Sequence, residues 1–160
     1  MSSRAFLMPQ SAQPVGSAYP EFGVDGQERQ YLAFDASTNE SCDWTFPVPT
    51  GWTGTITAEV CYRMASATSG DVDLDVQVEA ISNGDALDTD STSSFDTVNS
   101  VDNTTVPATA GYIDVVSITL TNNDSSAAGD MIRIRFNRDA ASDTASGDLE
   151  LLWIEIQDGS

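Results

Sequence analysis

Apolar and polar residues alternate with a period of two along most of this chain. Val72, Leu74, Val76, Val78 and Ala80 are interleaved with Asp71, Asp73, Asp75, Gln77 and Glu79. Ile56, Ala58, Val60, Tyr62 and Met64 alternate with Thr57, Glu59, Cys61 and Arg63. Ile132, Ile134 and Phe136 alternate with Arg133 and Arg135. A period of two places one set of side chains on a buried face and the other on an open face of a strand. Shorter runs over Tyr31–Phe34, Cys42–Val48, Tyr112–Thr121 and Asp148–Gln157 read as further strands, and Phe95, Val98 and Val101 mark one or two weaker ones. Turn chemistry separates them, as at Gly51-Trp52-Thr53-Gly54 and Asn83-Gly84. No window carries the 3.6-residue period of a helix. The pattern predicts an all-β fold, an antiparallel two-sheet β-sandwich of jelly-roll type, over residues 29–160.

Residues 1–28 lack this period. Pro9, Pro14 and Pro20 punctuate them, with Gly16, Gly23 and Gly26, so they read as an extended N-terminal arm. Its apolar residues Phe6, Leu7, Met8, Tyr19 and Phe22 are too many for a solvated tail. They are expected to lie on a neighbouring subunit.

Charge narrows the function classes. Twenty-five carboxylates oppose six arginines, with no lysine or histidine, for a formal net charge of −19 on 160 residues. Such a surface repels nucleic acid and anionic lipid. Without histidine the commonest general base and metal ligand are gone, and no nucleophile elbow, phosphate loop or dinucleotide fingerprint replaces them. No apolar run approaches the ~18 residues of a membrane span, and the N-terminus lacks a secretory core. The expectation is a non-enzyme without cofactor or metal, made in a cytoplasm and soluble.

Individual candidates weaken on inspection. Asp71-x-Asp73-x-Asp75 suggests calcium, but Val76 and Ser82 stand where a calcium loop needs glycine and glutamate. Same-face carboxylates on a strand also sit about 6.5–7 Å apart, too far to share one ion. A solvated acidic face is expected instead. Carboxylate pairs for sugar hydrolysis arise by chance among so many acids. Cys42 and Cys61 are expected to be buried thiols without a disulfide. Trp52 and Tyr112 are the candidates for stacking on a sugar ring. Arg133, Arg135 and Arg138 hold half of the positive charge within six residues. Cross-strand ion pairs are their first reading, and contact with an acidic neighbour the second. The last strand offers an interface. If Leu152, Ile154 and Ile156 point inward, Leu151 and Trp153 share the outer face as an apolar patch, and a homo-oligomer follows.

Several segments together resemble a known group. They are Trp44-Thr45-Phe46-Pro47-Val48-Pro49-Thr50-Gly51-Trp52, Gly54–Arg63, Gly70-Asp71-Val72, Ala80–Asp88, Ala128–Arg135, Arg138-Asp139-Ala140-x-x-Asp143-Thr144 and Gly147-Asp148-Leu149. Between about residues 30 and 157 the chain resembles jelly-roll structural proteins of tailed bacteriophages, of the capsid decoration (cement) kind. The resemblance implies a virion protein without catalytic residues. It would be made in the host bacterial cytoplasm, sit on the outer capsid surface, clamp the major capsid protein and form a trimer. Asp139, Asp143 and Asp148 near Arg138 are expected to organise the loop before the last strand through Asx turns and an Arg–Asp pair. A tail-fibre or spike module binding bacterial surface carbohydrate is the alternative.

Overall fold

A computed structural model of the chain describes residues 3–53 and 55–159. The strands that alternation predicted are formed, and the apolar sets of 56–64, 72–78, 116–120 and 132–136 turn inward. The weak stretch yields a strand that includes Val101 but leaves Val98 outside it and 40% exposed. These strands are β4 (Gln30–Phe34), β5 (Glu40–Pro47), β6 (Ile56–Met64), β7 (Asp71–Ile81), β8 (Asn99–Thr105), β9 (Ile113–Leu120), β10 (Met131–Arg138) and β11 (Leu149–Asp158). Three further strands precede them: β1 (Arg4–Leu7), β2 (Gln13–Pro14) and β3 (Glu21–Val24). Among the described residues the only helix is a 3-10 turn, Pro9–Ser11. All pairings are antiparallel. One sheet runs β3-β4-β11-β6-β9, with β1 also on β11, and the other runs β2-β5-β10-β7-β8. The chain is an all-β, two-sheet sandwich of jelly-roll type.

The core lies between the sheets. Val72, Leu74, Val76 and Val78 of β7 and Ile132, Ile134 and Phe136 of β10 face Ala58, Val60 and Tyr62 of β6 and Ile154 and Ile156 of β11, all fully enclosed. Phe34 and Phe136 meet edge to face across the sheets at 5.1 Å. Burying each such side chain contributes roughly 1.5–3 kcal/mol.

The first 28 residues depart from the expected arm. They are extended, but they lie on their own sandwich. β1 pairs with the second half of β11, from Leu7 opposite Ile154 to Arg4 opposite Gln157. The chain then crosses to the other sheet, where β2 pairs with Asp43 and Cys42 of β5. It returns as β3, which pairs with β4. Leu7 is 2% exposed within the core cluster, so it cannot reach a neighbour. The segment straps one edge of the sandwich closed. Each strand is four residues or fewer, too short to show a period.

The last strand also departs from its expected parity. Pairing with β6 slips between Leu151, opposite Tyr62, and Trp153, opposite Cys61, leaving Leu152 as the extra residue of a bulge. Before the bulge, Leu149 and Leu151 point inward; after it, Ile154 and Ile156 do. Leu151 is therefore a core residue, fully enclosed. Trp153 is only partly buried. The expected Leu151–Trp153 interface does not exist as a patch, and the oligomer it implied loses that basis.

Candidate functional site

The prolines of the strap shape an opening at the edge of the sandwich. Pro9 starts the 3-10 turn, in which the amide and hydroxyl of Ser11 both donate to the Met8 carbonyl. The same carbonyl accepts the indole N–H of Trp44 at 3.0 Å, fixing the turn to β5. Further on, the Ser41 amide donates to the Ala18 carbonyl. Gly23 leaves room for the Tyr31 ring to lie across β3: a Cβ there would stand 2.4 Å from its Cζ. Between these fixed points the strap leaves a cleft of about 450 Å³, within the range of about 300–1,000 Å³ common for small-molecule sites.

Buried Leu32 and Cys42 form the floor of the cleft, and Pro9, Pro14 and Pro20 line its walls. Phe22 stands opposite Leu32 in the β3–β4 register, and Leu32 opposite Leu151. The Phe22 ring is therefore on the inward side of its sheet, yet 47% exposed, because β3 is the edge strand. Tyr19 is 48% exposed beside it. Gln10 and Glu21 bring polar groups to the lining. No hydrogen bond or ion pair among the described residues engages either of those side chains. Burial pushes the Cys42 thiol far above its ordinary range, so the floor is inert as a nucleophile.

The strap residues named from sequence therefore separate. Tyr19 and Phe22 border the cleft. Leu7 belongs to the core, and Met8 holds Trp44. Phe6 is 58% exposed but pairs with Glu155 on the outer face of the other stretch of sheet. Trp52, the first stacking candidate, is buried against Phe46 at 6.4 Å. Tyr112 is exposed without it. The participation of Pro14, Gln10 and Glu21 left no sequence signal, because a 3-10 turn and edge strands of two and four residues set their positions.

The acidic strand β7 is tied to its neighbours. Asp71 accepts the Thr105 hydroxyl at 2.8 Å, Asp73 the Asn103 amide at 2.6 Å, and Asp75 the Ser100 hydroxyl at 2.5 Å. Asp73 is 7% exposed because the ladder to β8 bulges beside it, so this face is less solvated than expected. No group of three or more metal-ligating side chains forms among the described residues. Cys42 and Cys61 are free and buried, and burial pushes the Cys61 thiol up to about 11.

The arginines divide by face. Arg135 grips Asp43 through Nε at 2.8 Å and a second nitrogen at 3.0 Å. Arg133 Nε lies 2.8 Å from Glu79, at an angle that makes an ion pair without an aligned hydrogen bond. Both guanidinium groups lie over the Phe95 ring, at 4.5 and 4.3 Å. Arg138 has the parity of Phe136 and is fully enclosed. Its Nε donates to Asp143 at 2.6 Å, and its other nitrogens donate to the carbonyls of Phe34, Gly147 and Ala145. Asp139 does not join this pair; it accepts the Asn39 amide at 2.8 Å.

No known sequence family matches the chain, and no curated protein matches it. Solved structures do. A family 35 carbohydrate binding module from Clostridium thermocellum superposes with a TM-score of 0.52 at 14% identity, over 96% of this chain and 97% of that one. A family 35 carbohydrate binding module from an environmental isolate gives 0.52 at 13% identity, over 97% and 93%. The likeness is one of fold. An exo-beta-1,3-galactanase from Phanerochaete chrysosporium gives 0.50 at 14% identity, but this chain corresponds to 29% of that enzyme.

Proposed function

We propose that this chain is a non-catalytic carbohydrate-binding domain and that the strap cleft holds the sugar. The observation that carries this reading is the pair of half-exposed rings, Tyr19 and Phe22, beside Gln10 and Glu21 at the opening. A sugar presents apolar C–H faces and hydroxyl edges. Ring faces suit the former, and an unengaged amide and carboxylate suit the latter. Two solved neighbours named as carbohydrate binding modules correspond to this chain over nearly their whole lengths, which supports the same reading.

The capsid-decoration reading rests on the sequence resemblance alone. Attachment to a major capsid protein, trimer formation and a place on the virion are what that resemblance implies. Two features that favoured them are gone, since the arm closes its own sandwich and Leu151 is in the core. A carbohydrate-binding domain at a phage tail joins the two readings, and it requires the same cleft.

Binding to a panel of soluble polysaccharides, followed by calorimetry with oligomers of any that bind, tests the proposal. At least one sugar should bind with one site per chain, and Tyr19→Ala and Phe22→Ala should each weaken it. Binding unaffected by both substitutions would remove the cleft from consideration.

A further inference from the structure

The charge of the ligand follows from how the chain spends its cations. Each of the six arginines is paired with a carboxylate: Arg4 with Glu155, Arg29 and Arg63 both with Asp25, Arg63 also with Glu150, Arg133 with Glu79, Arg135 with Asp43, and Arg138 with Asp143. There is no lysine or histidine to add to them. The cleft lining contains none of these arginines, and its one formally charged residue is Glu21. The whole domain carries a net charge of −19.

We infer that the cleft selects neutral saccharides and rejects acidic ones, such as uronic acids and sulfated or sialylated sugars. The inference rests on the sugar-binding reading and adds the ligand's charge class. A carboxylate entering this opening would leave its hydration for a site without a cation. It would also approach through the field of nineteen uncompensated negative charges. A neutral ring meets neither cost. Its contacts are the faces of Tyr19 and Phe22 and the amide of Gln10, which do not depend on ionic strength.

The test compares neutral tetrasaccharides of the gluco and galacto series with the uronic tetrasaccharides of the same configuration. Affinity is measured by calorimetry at an ionic strength of about 0.01 M, where screening reaches about 30 Å, and of about 1 M, where it falls to about 3 Å. At low salt the uronic ligand should bind at least about tenfold more weakly than its neutral counterpart, and the gap should narrow at high salt. The neutral affinity should change by less than about twofold across the same range. Gln10→Arg places a cation at the opening. It should raise uronic affinity relative to neutral affinity, while the neutral ligand, which loses the Gln10 amide, should bind no more tightly than before. Its melting temperature reports whether the fold is intact. Uronic binding as tight as neutral binding at low salt overturns this inference and leaves the sugar reading in place, as does neutral binding with no response of the uronic ligand to Gln10→Arg. Failure of every sugar in both series and in the wider panel overturns the sugar reading itself.

Discussion

The pocket around Arg138 and the cleft beside Tyr19 handle polar groups in opposite ways. Arg138 is fully enclosed, and its guanidinium makes four hydrogen bonds, to one carboxylate and three backbone carbonyls. Those partners come from the end of β4 and from the loop that leads into β11. The charge therefore ties both sheets and a loop together and has nothing left to offer a ligand. At the cleft, Gln10 and Glu21 have no partners among the described residues, and two aromatic rings stay half exposed. A polar group saturated from within contributes to folding, and one left unsaturated in a concave apolar setting is available to bind. Perturbation of the first region should change stability alone. Perturbation of the second should change affinity alone.

The largest expected effect is at Arg138. Arg138→Ala leaves Asp143, 2% exposed at its side chain, as an unpaired buried carboxylate and orphans three carbonyls. A loss of about 3–5 kcal/mol is expected, measured by urea denaturation. A loss under about 1 kcal/mol would mean that the loop closes without the guanidinium. Leu7→Ala should come next, at about 2–4 kcal/mol, because it opens a cavity where the strap enters the core. That variant also breaks the comparison deliberately. The strap forms one wall of the cleft, so affinity should fall together with stability. Removal of residues 1–25 should likewise destabilise the domain.

The strands were legible wherever they exceeded about six residues and had one buried face. In β6, β7 and β10 every alternate apolar residue went inward, since an exposed set would cost the whole strand its burial. Arg138 was legible in principle, because it continues the inward parity of Ile132, Ile134 and Phe136. Its charge grouped it instead with Arg133 and Arg135, which occupy the opposite face. The bulge at Leu152 was not legible. In Glu150-Leu151-Leu152-Trp153-Ile154 an extra residue shifts parity without any glycine or proline to mark it. The cleft was hidden for a related reason. Tyr19 and Phe22 stood out as excess apolar residues in a segment without period. What gathers them beside Gln10 and Glu21 is pairing of β2 and β3 with strands distant in sequence, which local spacing does not encode.

Smaller effects belong to the cleft. Tyr19→Ala and Phe22→Ala should each reduce sugar affinity by about 1–2 kcal/mol, near tenfold. Each should move the urea midpoint very little, since both side chains are about half exposed in the free protein. A variant that loses stability and affinity in parallel would show that the ring is part of the strap's packing. The distinction between sealed and open polar regions would then fail at that residue.

The smallest effect comes from pH. Asp25 directly follows β3 and accepts hydrogen bonds from Arg63, from Arg29 and from the Gln27 amide. The Arg63 guanidinium is the main cause, and the Arg29 amide the next, of a carboxyl held far below the ordinary aspartate value of 3.8. A carboxyl depressed in this way stabilises the folded state fully above its unfolded value, and that contribution is lost as pH falls toward the folded value. Asp25→Asn should therefore be less stable than the parent at neutral pH, and the difference should shrink progressively below about pH 4. Urea midpoints of the two proteins at a series of pH values read this directly. Because Asp25 anchors the end of β3, which carries Phe22 into the cleft, sugar affinity should weaken slightly over the same interval. A stability difference that stays constant down to pH 2 would show that Asp25 does not titrate in that interval, and the link between this ion pair and the cleft's edge strand would then have to be abandoned.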